Sequence, residues 1–434
     1  MGGGSMYGPH RSPSQHACTL NGRPDTTVYR SRRRRRIAAL CAGLCAAATL
    51  IPATAAAAAA RAAAPTAVRA AQADHWGFFF GNHPPGNEDV RRVPTTIRLP
   101  GPVAEVGSSN STEYALLTDG TLWAWGQGGD GELGNGSTTD SFGAAVQVRF
   151  PPGVQIASIP ADAMPFDTGL AVDTNGNAWG WGLNHGGSLC LGNRRPHDLP
   201  VQLPLTDVTA LAGANGHAVY DSGGQVVSCG KNAYGVLGDG TQLSSYSPVA
   251  VTGLNGQQVT ALVSSWNNAG ALLANGEFLD WGYDNQGQLG NGTIGQASAV
   301  PVPVPLPDPA PVIQVAEGGS TPDNGQTLVM LSDGSLFAWG DDDFSQLGDG
   351  QTGVQPAPVT ISPPAGVQYA VLASGGATSY ALTPTGDVYA WGANKAGEVG
   401  DRSARTAVTP VRVDSGATVI SSTAGNVVVA STTP

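Results

Sequence analysis

The chain has 434 residues, of which 61 are glycine and only 12% are charged, with a formal net charge of −11. A composition this rich in glycine and poor in charge suits strands joined by tight turns better than helices, and the length allows two or three ordinary domains or one repetitive one. The first 73 residues hold 10 of the 21 Lys and Arg and a single acid, Asp25, which leaves 11 basic against 31 acidic residues from Asp74 onward, a balance of −20. So acidic a body repels phosphate backbones and excludes nucleic acid as the expected partner.

In chain order, the first segment reads as a leader. Arg30 to Arg36 (RSRRRRR) precede the apolar run from Ile37 and an Ala-rich tract, the basic, apolar, small-residue order of a secretory signal. Residues 1–73 are therefore expected to be a signal peptide and Ala-rich leader, disordered or removed, and the protein to be secreted or extracellular, with association with the cell envelope as a variant. A membrane contact is expected only if the apolar segment, near the length of a span, stays uncleaved.

Beyond the leader the chain repeats. Leu122 to Gly136 (LWAWGQGGDGELGNG) has relatives that include Leu336 to Gly350 (LFAWGDDDFSQLGDG). The aromatic-Gly anchors fall at Trp125, Trp181, Cys229 in a Trp place, Trp281, Trp339 and Trp391, spaced by 56, 48, 52, 58 and 52 residues. Upstream of each lies an apolar run, a turn containing Gly and a second apolar run, as in YALLTDGTLWAW, which is a hairpin signature. Two more short β runs complete four strands, and four strands at this period make a propeller blade. The last run, ATVISSTAGNVVVAS, lacks its Trp-Gly strand, while DHWG at Asp74 to Gly77 supplies one at the other end. The expected fold is all-β: a seven-bladed β-propeller over residues 74–434 with four-stranded antiparallel blades, closed by strands from both chain ends.

The pattern A-L-x-x-D/N-G-x-L/V-x-A-W-G followed by G-x-L-G-D/N-G resembles the repeat of the regulator of chromosome condensation family. With export and acidity added, it is closest in kind to the secreted bacterial β-lactamase inhibitor protein of the second type. The resemblance implies the same seven-bladed propeller, and a fold that hosts exchange factors, inhibitors and binders leaves the function to be argued from the site. Nucleotide exchange on a small GTPase conflicts with the expected export.

The shared residues read as structural. Trp76, Trp125, Trp181, Trp281, Trp339 and Trp391 are expected to pack between blades, each with a Gly that permits close approach. Asp341 to Asp343 occupy a loop that varies between blades and lack the spaced acids of a calcium loop, so no metal and no cofactor are expected. His75, His83, His185, His197 and His217 show no zinc spacing and no nucleophile partner, and no catalytic residue is expected. Cys190 and Cys229 either pair across neighbouring blades or remain free thiols. Pro301 to Pro311 reads as a stiff connection between blades.

Strand parity selects a face. In antiparallel blades the loops joining strands one and two emerge on the same side as those joining strands three and four, and the D/N-G turns emerge opposite. Phe166 and Trp266 fall in the first set, and Phe78, Phe79, Phe80, Tyr234, Tyr283 and Phe344 in the second. These eight are the candidate partner-binding residues, since aromatic residues dominate protein interfaces. The turns opposite carry Asp119, Asn175, Asn275 and Asp333. The expected function is a secreted, non-enzymatic binding module that recognises an extracellular or cell-envelope protein or a cell-wall-associated partner through this face and acts as a monomer. The alternatives are an inhibitor of a secreted β-lactamase or penicillin-binding enzyme and, in another class, a polysaccharide-acting propeller enzyme.

Overall fold

Seven four-stranded antiparallel sheets stand in a ring in a computed structural model of the chain, which describes residues 72–79, 89–160, 164–321, 324–423 and 425–431. The leader, apart from residues 72 and 73, lies outside the described residues. Blade 1 comprises the strands Val103–Ser108, Thr112–Leu117, Leu122–Gly126 and Ser141–Gln147. Blades 2 to 6 begin with Ile156–Ser158, Val208–Ala214, Val259–Ser264, Val312–Gly318 and Val371–Ser374, and the first strands of blades 3 to 6 pack side by side around the axis.

The seventh blade joins both ends of the described chain. Ala417–Thr423 and Asn426–Ser431 form its first two strands, Gln72–Phe79 pairs antiparallel with the latter, and Asp89–Arg98 completes the sheet. Ring closure leaves no sheet with a neighbourless inner edge, which an open array would present for aggregation. The observed strand is longer than the expected DHWG, and it takes in Phe78 and Phe79, which pair with Val90 and Asp89. They therefore belong to a strand and not to the loop in which the sequence reading put them, as aromatic residues with high strand propensity extend the pairing.

Each Trp-Gly strand is the third of its blade, and all six Trp side chains are fully buried. Five of them make one repeated contact with the preceding blade. A Cβ added to Gly134, Gly238, Gly290, Gly348 or Gly400 would lie 2.5–2.9 Å from the indole of Trp181, Trp281, Trp339, Trp391 or Trp76. These glycines also hold φ between +59° and +81°, so both the backbone and the space require Gly. Four of the indoles donate to a carbonyl of the same turn: Trp181 to Glu132 at 2.8 Å, Trp281 to Val236 at 2.7 Å, Trp339 to Gln288 at 2.8 Å and Trp76 to Glu398 at 2.9 Å.

Two junctions differ. Between blades 2 and 3, Cys190 stands in the Gly place with φ of +56° and Cys229 in the Trp place, and the two form a disulfide. Between blades 7 and 1, where the sequence has no G-x-L-G, the Trp125 indole lies 3.2 Å from Nδ1 of buried His75, which contacts Glu113 at 2.6 Å. Part of the Pro-rich segment is also a strand: Ser298–Pro303 is the outer strand of blade 4, an edge position that tolerates Pro, and the connection proper follows it.

Candidate functional site

The first-to-second-strand loops of five blades and the end of the first strand of blade 7 converge at the mouth of the central channel, where Asn110, Met164, Asn215, Trp266, Ser320 and Thr423 line one small cavity. Blade 3 turns tightly here, with just Asn215 and Gly216 between its first two strands and Gly216 at φ +81°. Phe166 of blade 2 and Trp266 of blade 4, half-buried, meet edge to face with ring centroids 6.1 Å apart. This geometry sets the positive edge of one ring against the negative face of the other.

An adjoining cavity between blades 2 and 3 is lined by Phe166, Asn215, His185 and Lys231, so loops of both sets share one face. Lys231 Nζ reaches Asn215 Oδ1 at 3.4 Å. Next to Phe166 in sequence, Asp167 joins Asp130 and Glu132, and carboxylate atoms of the three lie within 4.8 Å of one another. Burial raises Glu132 to about 7 and Asp167 to about 6, with the charge of Asp167 adding to the first and that of Asp130 to the second. Ser111 donates to Asp167 at 2.6 Å, and the Asp130 N–H donates to Glu132 at 2.8 Å. These acids bridge the third-to-fourth-strand loop of blade 1 and the first loop of blade 2. Reading the sequence blade by blade missed them, and aligning each loop with the next blade's first loop would have found them.

The other candidate aromatics are placed differently. Tyr283 is buried, its ring 4.6 Å from that of half-buried Tyr234, and its hydroxyl accepts a hydrogen bond from Asn285 Nδ2 at 2.6 Å. It supports Tyr234 and offers little surface of its own. Phe344 is 37% exposed, with Lys395 Nζ 5.7 Å from its ring centroid. Phe80 lies outside the described residues, as do the side chains of Phe78 and Phe79. Phe166 and Trp266 are thus the pair that the structure brings together.

On the opposite face the turn residues serve their own backbones. Asp119, Asn275 and Asp333 each accept the N–H two residues on at 2.9 Å. Bonds from Thr121 hold Asp119 below the usual carboxylate range, and bonds from Ser335 do the same for Asp333.

Asp341 to Asp343 belong to a loop framework. Asp342 is buried and accepts the Leu347 N–H at 2.9 Å, as Asn232 accepts Leu237 at 2.9 Å and Asn394 accepts Val399 at 3.0 Å. Burial raises Asp341 to about 6 and Asp342 to about 7.

Comparison with known proteins agrees with this repeat. Residues 119–161, 223–272, 275–321 and 333–382 match the family described as Regulator of chromosome condensation (RCC1) repeat. Each segment starts in a turn between the second and third strands, so the repeat is phased across two blades. The Ultraviolet-B receptor UVR8 of Arabidopsis thaliana is 27% identical over 283 residues, 64% of this chain and 62% of that protein. The mitochondrial RCC1 domain-containing protein RUG3 of the same plant is 28% identical, over 68% of this chain and 70% of its own. Thus the chain spans less than two thirds of UVR8. The crystal structure of Prp20p from Saccharomyces cerevisiae, described with its binding to Gsp1p and histones, superposes with a TM-score of 0.71 at 19% identity, covering 84% of this chain and 92% of that one. At that identity the likeness shows the fold.

The comparisons correct the expected location. The relatives are eukaryotic proteins, one of them mitochondrial, which does not agree with a secreted bacterial protein, so the secreted or cell-envelope location is withdrawn. The conflict between export and nucleotide exchange goes with it. The relatives include a receptor, UVR8, and the E3 ubiquitin-protein ligase HERC2 of Homo sapiens, 27% identical over 75% of this chain and 7% of its own, and so point to no single enzyme class.

Proposed function

We propose that this propeller, built from RCC1 repeats, is a non-enzymatic protein-binding module that engages its partner through the loop face around Phe166 and Trp266. The observation that carries the reading is the half-buried aromatic pair at the channel mouth, with Lys231 lining a cavity beside Phe166 and Asp167, next to Phe166 in sequence, grouped with Asp130 and Glu132. Aromatic anchors beside charged groups are a chemistry that protein interfaces use repeatedly. The partner of another RCC1 propeller does not transfer, because these loops are where the blades vary most.

Affinity capture with the described propeller as bait, run beside a Phe166→Ala/Trp266→Ala double variant, tests the reading. A protein retained by the first bait and lost from the folded second supports it. Equal retention by both removes this face. Inhibition of a β-lactamase or a penicillin-binding enzyme would be one case of the same module, and unchanged turnover in the presence of the propeller removes that case.

A further inference from the structure

We propose that the loop after the Trp-Gly strand of blade 5 binds a calcium ion through Asp342 and Asp349. The argument comes from comparing this loop with its counterparts, which keep a fixed spacing. In blade 3, Asn232 Nδ2 donates to the carboxylate seven residues on, Asp239, at 3.3 Å, and to the carbonyls of Thr241 and Leu243 at 3.1 and 3.2 Å. In blade 6, Asn394 Nδ2 donates to Asp401 at 2.9 Å, to the Ser403 hydroxyl at 3.1 Å and to the Arg405 carbonyl at 3.0 Å. One amide thus ties together a ring of oxygen acceptors.

Blade 5 has Asp342 in the amide place and keeps a carboxylate, Asp349, seven residues on. Asp342 Oδ1 makes the framework bond to Leu347. Its Oδ2 replaces the amide nitrogen, and Asp342 is completely buried. Oδ2 of Asp342 and Oδ2 of Asp349 are both buried with no hydrogen-bond partner. Blade 4 shows that an aspartate alone does not create this situation. There Asp284 faces Asn291 instead of a second carboxylate, and the Thr293 hydroxyl lies 3.3 Å from its Oδ2. Blade 5 has Gln351 where blades 3, 4 and 6 have Thr or Ser, so the hydroxyl donor is lost as well.

What remains is a pair of carboxylate oxygens with no donor, beside the carbonyls of Gln351, which accepts from the Ser345 hydroxyl at 2.9 Å and keeps a second lone pair, and of Gly353, at positions whose counterparts accept from the amide. Two carboxylate oxygens buried without a positive centre, one on fully buried Asp342 and one on half-buried Asp349, lack hydration, and the charges of their groups repel. Calcium suits the set, because it takes six to eight oxygen ligands, including backbone carbonyls and waters, in flexible geometry, whereas magnesium requires a near-ideal octahedron. Softer transition metals prefer nitrogen and sulfur ligands, which this loop lacks. The neighbouring Asp341 is engaged elsewhere, accepting from Gln346 Nε2 at 2.5 Å.

The test is calorimetric titration of the full chain, freed of metal with a chelator, with calcium chloride, together with thermal melts with and without calcium. Asp342→Asn restores the residue of blades 3 and 6 and so keeps the framework bond, and Asp349→Asn removes the second carboxylate. Expected are binding by the wild-type protein, a melting temperature that rises with calcium as binding to the native state requires, and affinity weakened at least about tenfold in both variants. Asp342→Asn should melt in chelator no lower than the wild-type protein does. Absence of heat and of any thermal shift in the wild-type protein would overturn the proposal in favour of a proton shared by the two acids. Undiminished affinity in both folded variants would overturn it in favour of another acidic cluster.

Discussion

The junction between blades 2 and 3 and the junction between blades 4 and 5 solve one packing problem by different chemistry. At the second, Gly290 has no side chain because the Trp339 indole fills the space, and the indole donates to the Gln288 carbonyl. At the first, Cys190 and Cys229 occupy the equivalent places and are covalently joined, with Cys229 Sγ 3.3 Å from the Ser188 carbonyl. Neither place can change alone: a Trp without its Gly clashes, and a Gly opposite Cys leaves a void. Closure of the ring is therefore a property of residue pairs on neighbouring blades. The test of this comparison is whether each pair behaves as a unit.

The largest effect is expected at the aromatic junction. Trp339→Ala removes a fully buried indole and its hydrogen bond, and should cost about 3–5 kcal/mol of stability, the range for truncating buried aromatics. Urea unfolding followed by circular dichroism measures it. A loss of less than about 1 kcal/mol would mean that the blades hold together without this contact.

At the covalent junction, Cys229→Ser should cost less, about 2–4 kcal/mol, for a cross-link whose cysteines are 39 residues apart. A dithiol reductant should lower the wild-type melting temperature and leave the serine variant unchanged. The sharper experiment is the double substitution Cys190→Gly/Cys229→Trp, which installs the common pair. Ala218 lies opposite Cys229 as Ala269 lies opposite Trp281, so the space beside the new indole is similar. Stability should recover relative to Cys229→Trp alone, and failure to recover would show that other contacts have diverged at this junction.

A third comparison sets the Trp-Gly strands of blades 4 and 5 side by side. Asp280 occupies the place of Ala338, fully buried, with neither carboxylate oxygen hydrogen-bonded. Desolvation, with the charge of Asp284 adding to it, raises its pKa well above the ordinary value. The folded state therefore holds a proton that the unfolded state releases near pH 4, and stability falls as pH rises above that point toward the raised folded value. Glu132, at about 7, and Asp167, at about 6, act in the same direction. The protein should be more stable at pH 5 than at pH 8. Asp280→Ala should stabilise it on the order of 2 kcal/mol at pH 8, the scale of an unsatisfied buried polar group, and less at pH 5. Melting temperatures across this range decide it, and an equal gain at both pH values would argue against a proton held by Asp280.

Much of this architecture is legible in the sequence because the blade is written six times. The Trp-Gly spacing marks the third strands, and the missing Trp-Gly strand after ATVISSTAGNVVVAS points to closure by Trp76. The Cys190–Cys229 pair remained open because a repeat aligned blade by blade shows Cys229 in a Trp place but hides that Cys190 replaces the complementary Gly. The site was less legible. Parity put Phe166 and Trp266 on one face, but not in contact, because their meeting depends on the short Asn215-Gly216 turn between them. Tyr283 looked like a free loop aromatic, yet it is buried, since neighbouring loops pack on each other as well as facing solvent. Asp130, Glu132 and Asp167 converge from two blades, and such proximity comes from the ring and not from spacing along the chain.

The smallest effect concerns the two faces of the propeller. Trp266 is half-buried against Phe166, so its truncation exposes the pair without emptying a core. Trp266→Ala should weaken binding of the captured partner by about 1–2 kcal/mol, the scale of an interface anchor, with little change in melting temperature. Asp119 on the opposite face is exposed and bonded to Thr121 of its own turn, so Asp119→Ala should leave binding unchanged. Surface capture or calorimetry with both folded variants makes the comparison. If Asp119→Ala lowers affinity and Trp266→Ala does not, the partner binds on the turn face, where the acids now assigned to hairpin geometry would have to serve recognition as well.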